Sequence, residues 1–297
     1  METKRVLKIG ALVVVSLMLI SSLAGYLYVR SMLYKEPIYD NIPPELPAEF
    51  GRDNRPAILV FSKTNGFRHE FAIPAGQKML EKLAASRGWA VFSTENAAVF
   101  TPEALGRVDV VVSNNGSGDN TTEDQEAALR SFVEDGGGFV GIHGAGGDYT
   151  FEWQFYVDYL IGAQFIGHIM NPQFQEATVI VEDATHPATR HLKESWNHTE
   201  EWYSFESSPR SRGVNVLLSV DEDSYEQTGM MPWSDLSMGD HPVTWNHCVG
   251  AGRVFYTALG HEAPTYELPE FTGLVGGAIA WAAGLDGEGC EAAISAP

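Results

Sequence analysis

Short apolar runs alternate with segments of helical periodicity through the first half of this chain, and this alternation limits the possible folds most strongly. Four strands are predicted, at Ala57–Phe61, Trp89–Ser93, Val108–Ser113 and Phe139–Ile142. Runs as apolar as the first are typical of strands buried on both faces of a parallel sheet. Strands that alternate with helices form βαβ units. The sequence therefore predicts an α/β domain with a mostly parallel sheet covered by helices on both faces.

Three helices and four later strands complete the predicted domain, which we assign to residues 56–285. The predicted helices are Glu70–Arg87, Thr121–Asp135 and Phe271–Ala283. The later strands are predicted at Ala177–Val181, Val214–Val220, Pro242–Trp245 and Arg253–Leu259. Residues 286–297 follow the last helix and are predicted to form a loose tail.

An uncharged run of 21 residues, Ile9–Val29, precedes the domain and is long enough to cross a bilayer as one helix. The bases before it favour a cytoplasmic position for residues 1–8 and a periplasmic or extracellular position for the domain. A signal peptide cleaved after Ala24 is the alternative, and it gives the domain the same location. A cytosolic domain on an anchor of the opposite orientation is a third. Residues 30–55 are rich in proline and are predicted to be an extended linker.

Charge and cysteine content exclude some classes of function. The formal net charge is -20, and an acidic surface of this kind repels phosphate backbones, so we expect no nucleic-acid partner. The two cysteines, Cys248 and Cys290, form no CxxC or zinc-type spacing. They either pair as a disulfide or remain two free thiols, and neither lies where a nucleophile is expected.

Polar side chains collect in the loops that follow the predicted strands. They are His69, Asn114, His143, Asp148, His261 and Glu262. Ligands of such sheets bind at the carboxyl ends of the strands, and histidine serves as acid, base or metal ligand near neutral pH. The sequence therefore predicts a site at this edge. A divalent metal is compatible with several histidines, although no HxH or HExxH spacing indicates one.

The segment Gly141-Ile142-His143-Gly144 places a polar residue between small ones at a strand-to-helix turn. Nucleophile elbows have this arrangement, because small neighbours permit a strained backbone at the apex. The apex here is histidine, so acyl transfer through a serine or cysteine nucleophile is unsupported, whereas a binding or acid/base role for His143 stays open. The glycines are also explained by a tight turn alone.

Two further groups of residues suggest sugar recognition. His168 follows an aromatic segment, and Glu201 stands beside Trp202. Carboxylates accept hydrogen bonds from hydroxyl groups, and aromatic rings pack on the apolar faces of sugars. A charged loop above core aromatic residues gives the same pattern.

Taken in order, these motifs resemble those of the ThuA-like family, which is related to trehalose-utilisation proteins. The matching segments are Lys63–His69, Gly141–Gly144, Gly162–Phe165 with His168, Asp183–Pro187, Glu201–Tyr203, Pro242–Trp245 and Gly252–Thr257 with Gly260-His261. The resemblance spans roughly residues 57–284. It implies a flavodoxin-like sandwich similar to class I glutamine amidotransferase domains, without the catalytic cysteine of those enzymes, because His143 stands at the apex.

The family is linked to sugar metabolism, including 3-keto-sugar pathways. The chain has no CxxCH haem motif and no GxGxxG fingerprint, so an oxidised sugar would have to come from a separate sugar oxidoreductase. The first hypothesis is an enzyme that acts on a sugar or keto-sugar by hydrolysis, elimination or isomerisation. His143, His261 and His69 would be catalytic. Substrate would be bound by Asn114, Asp148, His168, Glu201 and Trp202. A non-catalytic sugar-binding module and an accessory interaction domain are the alternatives.

Overall fold

The computed structural model describes residues 2–33, 37–231, 233–289 and 293–294. The chain divides into two compact units, of which the first ends at Glu36 and the second begins at Pro37. The described residues of the first unit form helix α1 (Glu2–Leu33). Within it, Lys8–Tyr28 is long and apolar enough to cross a membrane, a test that signal sequences also pass.

A ten-stranded sheet forms the centre of the second unit, in the order β2-β1-β3-β4-β11-β10-β9-β6-β7, with β12 beside β10. The first four strands are β1 (Ala57–Phe61), β2 (Ala90–Thr94), β3 (Val110–Asn114) and β4 (Gly138–Ile142). The others are β6 (Gln175–Val181), β7 (Ser195–Glu200), β9 (Asn215–Val220), β10 (Pro242–Val249), β11 (Gly252–Thr257) and β12 (Ala293–Ile294).

The strands from β2 to β11 are parallel, and those from β11 to β7 are antiparallel. The order of β2, β1, β3 and β4 is that of a flavodoxin-like sheet. The prediction of a mixed α/β fold with a mostly parallel central sheet is thus confirmed, and the fold is consistent with a flavodoxin-like one. The antiparallel strands extend that sheet on one side.

Helices cover the sheet. They are α2 (Ala72–Arg87), α3 (Pro102–Leu105), α4 (Glu123–Glu134) and α5 (Pro269–Ala282). The connection through α2 and the connection through α4 advance in opposite directions along the sheet, so right-handed crossovers place these two helices on opposite faces. Helix α2 contacts α5, and α3 contacts α4. Gly88 ends α2 in the left-handed conformation, with φ of 73°, as a glycine C-cap does.

A second, two-stranded sheet consists of β5 (Phe165–His168) and β8 (Tyr203–Phe205). Its register places His168 opposite Tyr203. Neither strand was predicted from the sequence, and neither was β7, because all three are short and carry polar residues without a clear alternation. The β5–β8 sheet brings side chains to the candidate site described below.

Residues 37–55, which fall within the segment predicted as a linker, contact the domain. Phe50 is buried, and Arg107 Nε donates a hydrogen bond to its carbonyl over 2.8 Å. Asp40 forms an ion pair with the buried Lys63 and accepts a hydrogen bond from Ala97 N over 2.9 Å. Cys248 lies buried in β10 and is not a free thiol. Cys290 and part of the predicted tail lie outside the described residues.

Candidate active site

Three histidines and one glutamate meet at the carboxyl edge of the parallel strands. His69 lies between β1 and α2, His143 follows β4 directly, and His261 follows β11. Glu201 comes directly after β7, and one ligand atom from each of these four residues lies within 4.8 Å of the other three. We call these four residues the His/Glu cluster. The three histidines predicted to be catalytic are therefore neighbours.

His143 is the fixed centre of the cluster. Its backbone has φ of 44°, in the left-handed region, so the strained apex expected of this turn is present. Its Nδ1 lies 2.6 Å from Ala258 O. A carbonyl oxygen can only accept, so Nδ1 carries the hydrogen and Nε2 carries the lone pair. Tyr203 donates its hydroxyl hydrogen to that Nε2 over 2.8 Å, and the two rings stack with centroids 4.2 Å apart.

Glycine is required next to His143 because side chains crowd the turn. A Cβ at Gly144 would lie 2.9 Å from the ring of His69, and a Cβ at Gly147 would lie 2.3 Å from the ring of Tyr203. Neither ring could keep its position beside His143 with such a contact. The glycines that suggested a tight turn also let the site residues approach each other.

Glu201 connects His261 to the rest of the cluster. Its Oε2 lies 2.9 Å from His261 Nδ1 and 3.7 Å from His143 Nε2. Burial opposes ionisation of Glu201, but the close contacts with His143 and His261 outweigh burial and hold its pKa well below the usual range. Burial likewise opposes the charged form of His261, but the hydrogen bond to Glu201 raises its pKa.

The second oxygen of Glu201 is also held. Gln173 Nε2 donates a hydrogen bond to Oε1 over 2.5 Å, and His168 Nδ1 lies 3.2 Å from the same oxygen. Phe174 contacts the edge of His261, with ring centroids 5.0 Å apart. Both carboxylate oxygens thus have partners that fix the plane of the group.

Glu200 precedes Glu201 and holds the backbone around the cluster in place. It is 1% exposed, and its Oε2 accepts a hydrogen bond from Gly260 N over 2.7 Å. Its Oε1 accepts from Glu201 N over 2.9 Å and from His261 N over 3.2 Å. One buried carboxylate therefore links the residue after β7 to the loop after β11.

His69 completes the cluster with a buried ring that packs against other rings. It is 6% exposed, and its Nδ1 has no hydrogen-bond partner among the residues that the structure describes. Burial and the neighbouring His143 and His261 lower its pKa well below the usual value, so the imidazole is neutral near pH 7. Phe67 packs edge-on against the ring at 4.9 Å and is largely exposed.

Comparison with known proteins identifies the family. The family model described as ThuA, trehalose utilisation, matches residues 57–282. The chain belongs to the ThuA family. None of the curated protein sequences compared with the chain matches it.

Solved structures agree with the ThuA assignment. A ThuA-like protein from Bacteroides uniformis ATCC 8492 is 23% identical, with a TM-score of 0.65, and the match covers 82% of this chain and 95% of that protein. A ThuA-like protein from Parabacteroides merdae ATCC 43184 is 17% identical, with a TM-score of 0.59, over 77% of this chain and 90% of that one. At these identities the likeness concerns the ThuA fold alone.

Only some of the predicted substrate-binding residues of this ThuA protein lie at the His/Glu cluster. His168 and Glu201 are at the cluster. Asn114 is fully buried and donates hydrogen bonds to Ser62 Oγ and Ile73 O, so it ties the end of β3 to the loop after β1 and to the first turn of α2. Trp202 is 1% exposed and donates its Nε1 hydrogen to Gln175 O, which leaves no ring face for a ligand.

Asp148, the remaining predicted ligand-binding residue of the ThuA domain, hydrogen-bonds within its own loop. Its Oδ1 accepts from Thr150 N over 2.7 Å and from Thr150 Oγ1 over 2.6 Å. Its Oδ2 occupies the place that a Cβ at Gly66 would need. The contacts of Asp148 thus tie two loops together, and burial raises the pKa of its carboxyl group.

Tyr203 is the main site residue that was not predicted from the sequence, although the alternation of side chains in an extended segment indicates it. Successive side chains of an extended segment point to opposite sides, so Glu201 and Tyr203 share one side and Trp202 faces the other. Applied to this ThuA motif, that alternation would have selected Tyr203 over Trp202. Gln173 and Phe174 had no comparable signal, because they lie in an irregular segment before β6.

Proposed function

We propose that this ThuA-family protein is an enzyme acting on a sugar or keto-sugar by acid/base chemistry at the His/Glu cluster. One observation carries the proposal: His143 Nε2 lies 3.1 Å from His261 Nδ1 and 2.8 Å from the Tyr203 hydroxyl, at the carboxyl ends of the parallel strands. Family membership supports a carbohydrate substrate, because the family model is described as trehalose utilisation.

The protonation states give the cluster both an acid and a base. Burial and the nearby Glu201 raise the pKa of Tyr203 well above the usual value, so its hydroxyl keeps its proton and can donate a hydrogen bond to a substrate oxygen. When the Tyr203 hydroxyl turns from His143 Nε2 to a substrate oxygen, the lone pair on Nε2 becomes free to take a proton from carbon. A keto group on the sugar acidifies the neighbouring C–H, and one well-placed base then suffices for elimination or isomerisation.

The proposal extends to the fold relationship, the source of the substrate and the location of the domain. The fold is like that of class I glutamine amidotransferases, with His143 in place of their catalytic cysteine. A separate sugar oxidoreductase supplies the keto-sugar. Helix α1 anchors the domain outside the cytoplasm, and this is tested by alkaline extraction of membranes, which should leave the full chain in the pellet. Release of a chain that starts at Gly25 would instead show cleavage after Ala24.

The function is tested with His143→Asn, assayed with 3-keto-glycosides and with mono- and disaccharides. An asparagine amide can reproduce the hydrogen bond of Nδ1 to Ala258 O while removing Nε2. We expect kcat to fall by at least about 10²-fold, the usual contribution of a general base. The control is His191→Asn on an exposed histidine, which should have wild-type activity.

Three other outcomes have distinct meanings. Unchanged turnover in His143→Asn would remove His143 from the reaction. Thermal stabilisation by sugars without product, in the wild-type protein, would favour the sugar-binding module. No response to any sugar, together with stable co-purification of another protein, would favour the accessory interaction domain.

A further inference from the structure

We propose that His69, His143, His261 and Glu201 together bind one divalent first-row transition-metal ion, with Zn²⁺ as the reference ion. This inference rests on the proposed function only in sharing its site, because the binding of an ion can be measured without any substrate. Four side chains that belong to the loops after four different strands converge here, each with a potential ligand atom within 4.8 Å of the others.

The distances between ligand atoms fit one shared ion. His143 Nε2 is 3.1 Å from His261 Nδ1, which is 2.9 Å from Glu201 Oε2, and that oxygen is 3.7 Å from His143 Nε2. Nitrogen and oxygen ligands lie about 2.0–2.1 Å from Zn²⁺, so neighbouring ligands of a tetrahedral ion are about 3.3 Å apart. The triangle of these three atoms therefore has the size that an ion at its centre requires.

The orientation of the imidazole rings gives independent support. The rings of His69, His143 and His261 are nearly perpendicular to one another, with interplanar angles of 80°, 82° and 83°. Their centroids are 4.8, 4.8 and 5.0 Å apart. Three imidazoles bound to one tetrahedral ion have centroids about 5 Å apart, given the same metal–nitrogen distance. Edge-to-face contacts are common among packed rings, so the support comes from three rings meeting at the distance that one shared ion sets.

The surrounding hydrogen bonds present lone pairs to the centre of the cluster. His143 donates its Nδ1 hydrogen to Ala258 O, so its Nε2 lone pair faces the cluster, where an ion would replace the hydrogen bond from Tyr203. Glu201 keeps Oε1 on Gln173 and turns Oε2 toward the histidines. Ligating histidines and carboxylates in metalloproteins are oriented by such outer hydrogen bonds. His69 adds a buried ring whose Nδ1 has no partner among the described residues.

The donor set selects the class of ion. Three imidazole nitrogens and one carboxylate oxygen suit Zn²⁺, Mn²⁺, Fe²⁺, Co²⁺ or Ni²⁺, whereas Ca²⁺ and Mg²⁺ prefer sites made of oxygen. An ion held here would act as a Lewis acid toward a sugar carbonyl. In the ion-bound protein His143 would be a ligand, so the proton transfer proposed for its Nε2 belongs to the ion-free protein. The Tyr203 hydroxyl, released from Nε2, would be free to contact the substrate.

The test measures metal content in the full chain, purified in detergent. The protein is stripped with a chelator, dialysed against Zn²⁺, Mn²⁺, Co²⁺ or Ni²⁺ in separate samples, and analysed by elemental mass spectrometry. We expect one equivalent of at least one of these ions per chain and, for Co²⁺, visible absorption bands of a low-symmetry site. Retention of less than about 0.1 equivalent of every ion would overturn the proposal.

Variants identify the ligands and separate this proposal from the proposed function. His69→Gln, His261→Gln and Glu201→Gln should each weaken binding at least tenfold, while His191→Gln should bind like wild type, with folding checked by circular dichroism. If none of these three substitutions weakened the binding of the ion, the proposal that these residues bind it would also be overturned. Stoichiometric binding without turnover of any sugar would leave the metal site standing and refute the enzyme. Sugar turnover by a protein that retains less than about 0.1 equivalent of every ion would leave the enzyme standing and refute the metal site.

Discussion

Tyr203 is held by two contacts to His143, a hydrogen bond from its hydroxyl and a stacked ring. Tyr203→Phe removes the first contact and keeps the second, so the ring of His143 should stay in place. We expect kcat for keto-sugar turnover to fall by about 10²-fold, the usual contribution of a positioned proton donor. KM and the melting temperature should change little. Steady-state kinetics and thermal unfolding check these expectations, and a fall in activity explained by unfolding would contradict them.

At the level of residues, the sequence predicted which histidines lie near one another, because residue type and position at a strand end are both visible in it. His69, His143 and His261 follow strands of the parallel half, and parallel strands bring their carboxyl ends to one edge. The sequence could not separate Trp202 from Tyr203, because β8 was not recognised. Asn114 is the last residue of β3, yet its amide hydrogen-bonds the backbone of Ile73 and does not face the cluster. Position at a strand end therefore predicts nearness to the site and leaves open whether a side chain faces it.

The loop after β11 depends on a buried carboxylate from the end of β7. Glu200 accepts backbone hydrogen bonds from Gly260, His261 and Glu201. In Glu200→Gln one carboxylate oxygen becomes an amide nitrogen that cannot accept, so at least one buried N–H loses its partner. We expect a loss of about 2–3 kcal/mol in the free energy of unfolding, typical of hydrogen bonds to charged groups. Activity should fall too, because His261 moves.

The control for this experiment is Glu206→Gln, a charge-neutralising change at an exposed glutamate five residues beyond Glu201. Chemical denaturation should give it nearly wild-type stability. Equal stability of Glu200→Gln and Glu206→Gln would show that the buried carboxylate does not hold the loop.

Strand β10 contains a titratable group that should make stability depend on pH. His247 lies in this strand, and its Nε2 donates a hydrogen bond to Tyr159 O over 2.6 Å. Burial lowers its pKa to about 4, against the raising effect of that hydrogen bond. An unfolded chain would bind the proton near the ordinary pKa of 6.5. Between pH 6.5 and 4 the unfolded state therefore binds more protons, and stability falls as pH falls.

His247→Gln tests this dependence, because a glutamine amide can keep the hydrogen bond to Tyr159 O without titrating. Between pH 6.5 and 5 the wild-type free energy of unfolding should fall by roughly 1–2 kcal/mol more than that of the variant, since each pKa unit corresponds to about 1.4 kcal/mol. His191→Gln, at an exposed position, should keep the wild-type slope. Parallel pH profiles for wild type and His247→Gln would contradict the expectation.

At the level of elements, apolar character decided what could be predicted. Strand β1 lies where Ala57–Phe61 predicted it, because every residue in it is buried and apolar. Strand β10 runs to Val249, four residues beyond its predicted end, because Asn246, His247 and Cys248 are buried polar or sulfur-bearing residues that the apolar pattern excludes. Strand β7 alternates regularly between exposed and buried positions at the sheet edge, but its buried positions include His198 and Glu200, so no apolar alternation is visible in the sequence. Its pairing with β6, rather than its own composition, makes it a strand.

For the whole molecule, the folded domain begins before the family match, because residues 37–56 belong to the same compact unit. Asp40 pairs with Lys63, which is 7% exposed, and accepts a hydrogen bond from Ala97 N. Gln125 Nε2 donates to Asp40 O over 2.8 Å. A chain of residues 37–297 should therefore be more stable than one of residues 56–297, because the shorter chain leaves the buried ammonium of Lys63 without its partner.

We expect this difference to be about 3–5 kcal/mol, the usual cost of removing one partner of a buried ion pair. Chemical denaturation of the two chains measures it directly. Asp40→Asn in residues 37–297 isolates the charge, and it should lose part of that amount because Asp40 O and the packing of Phe50 remain. If both chains unfold at the same denaturant concentration, residues 37–55 contribute nothing to the fold. If Asp40→Asn alone reproduces the full loss, the ion pair accounts for the segment's contribution and the buried ring of Phe50 does not.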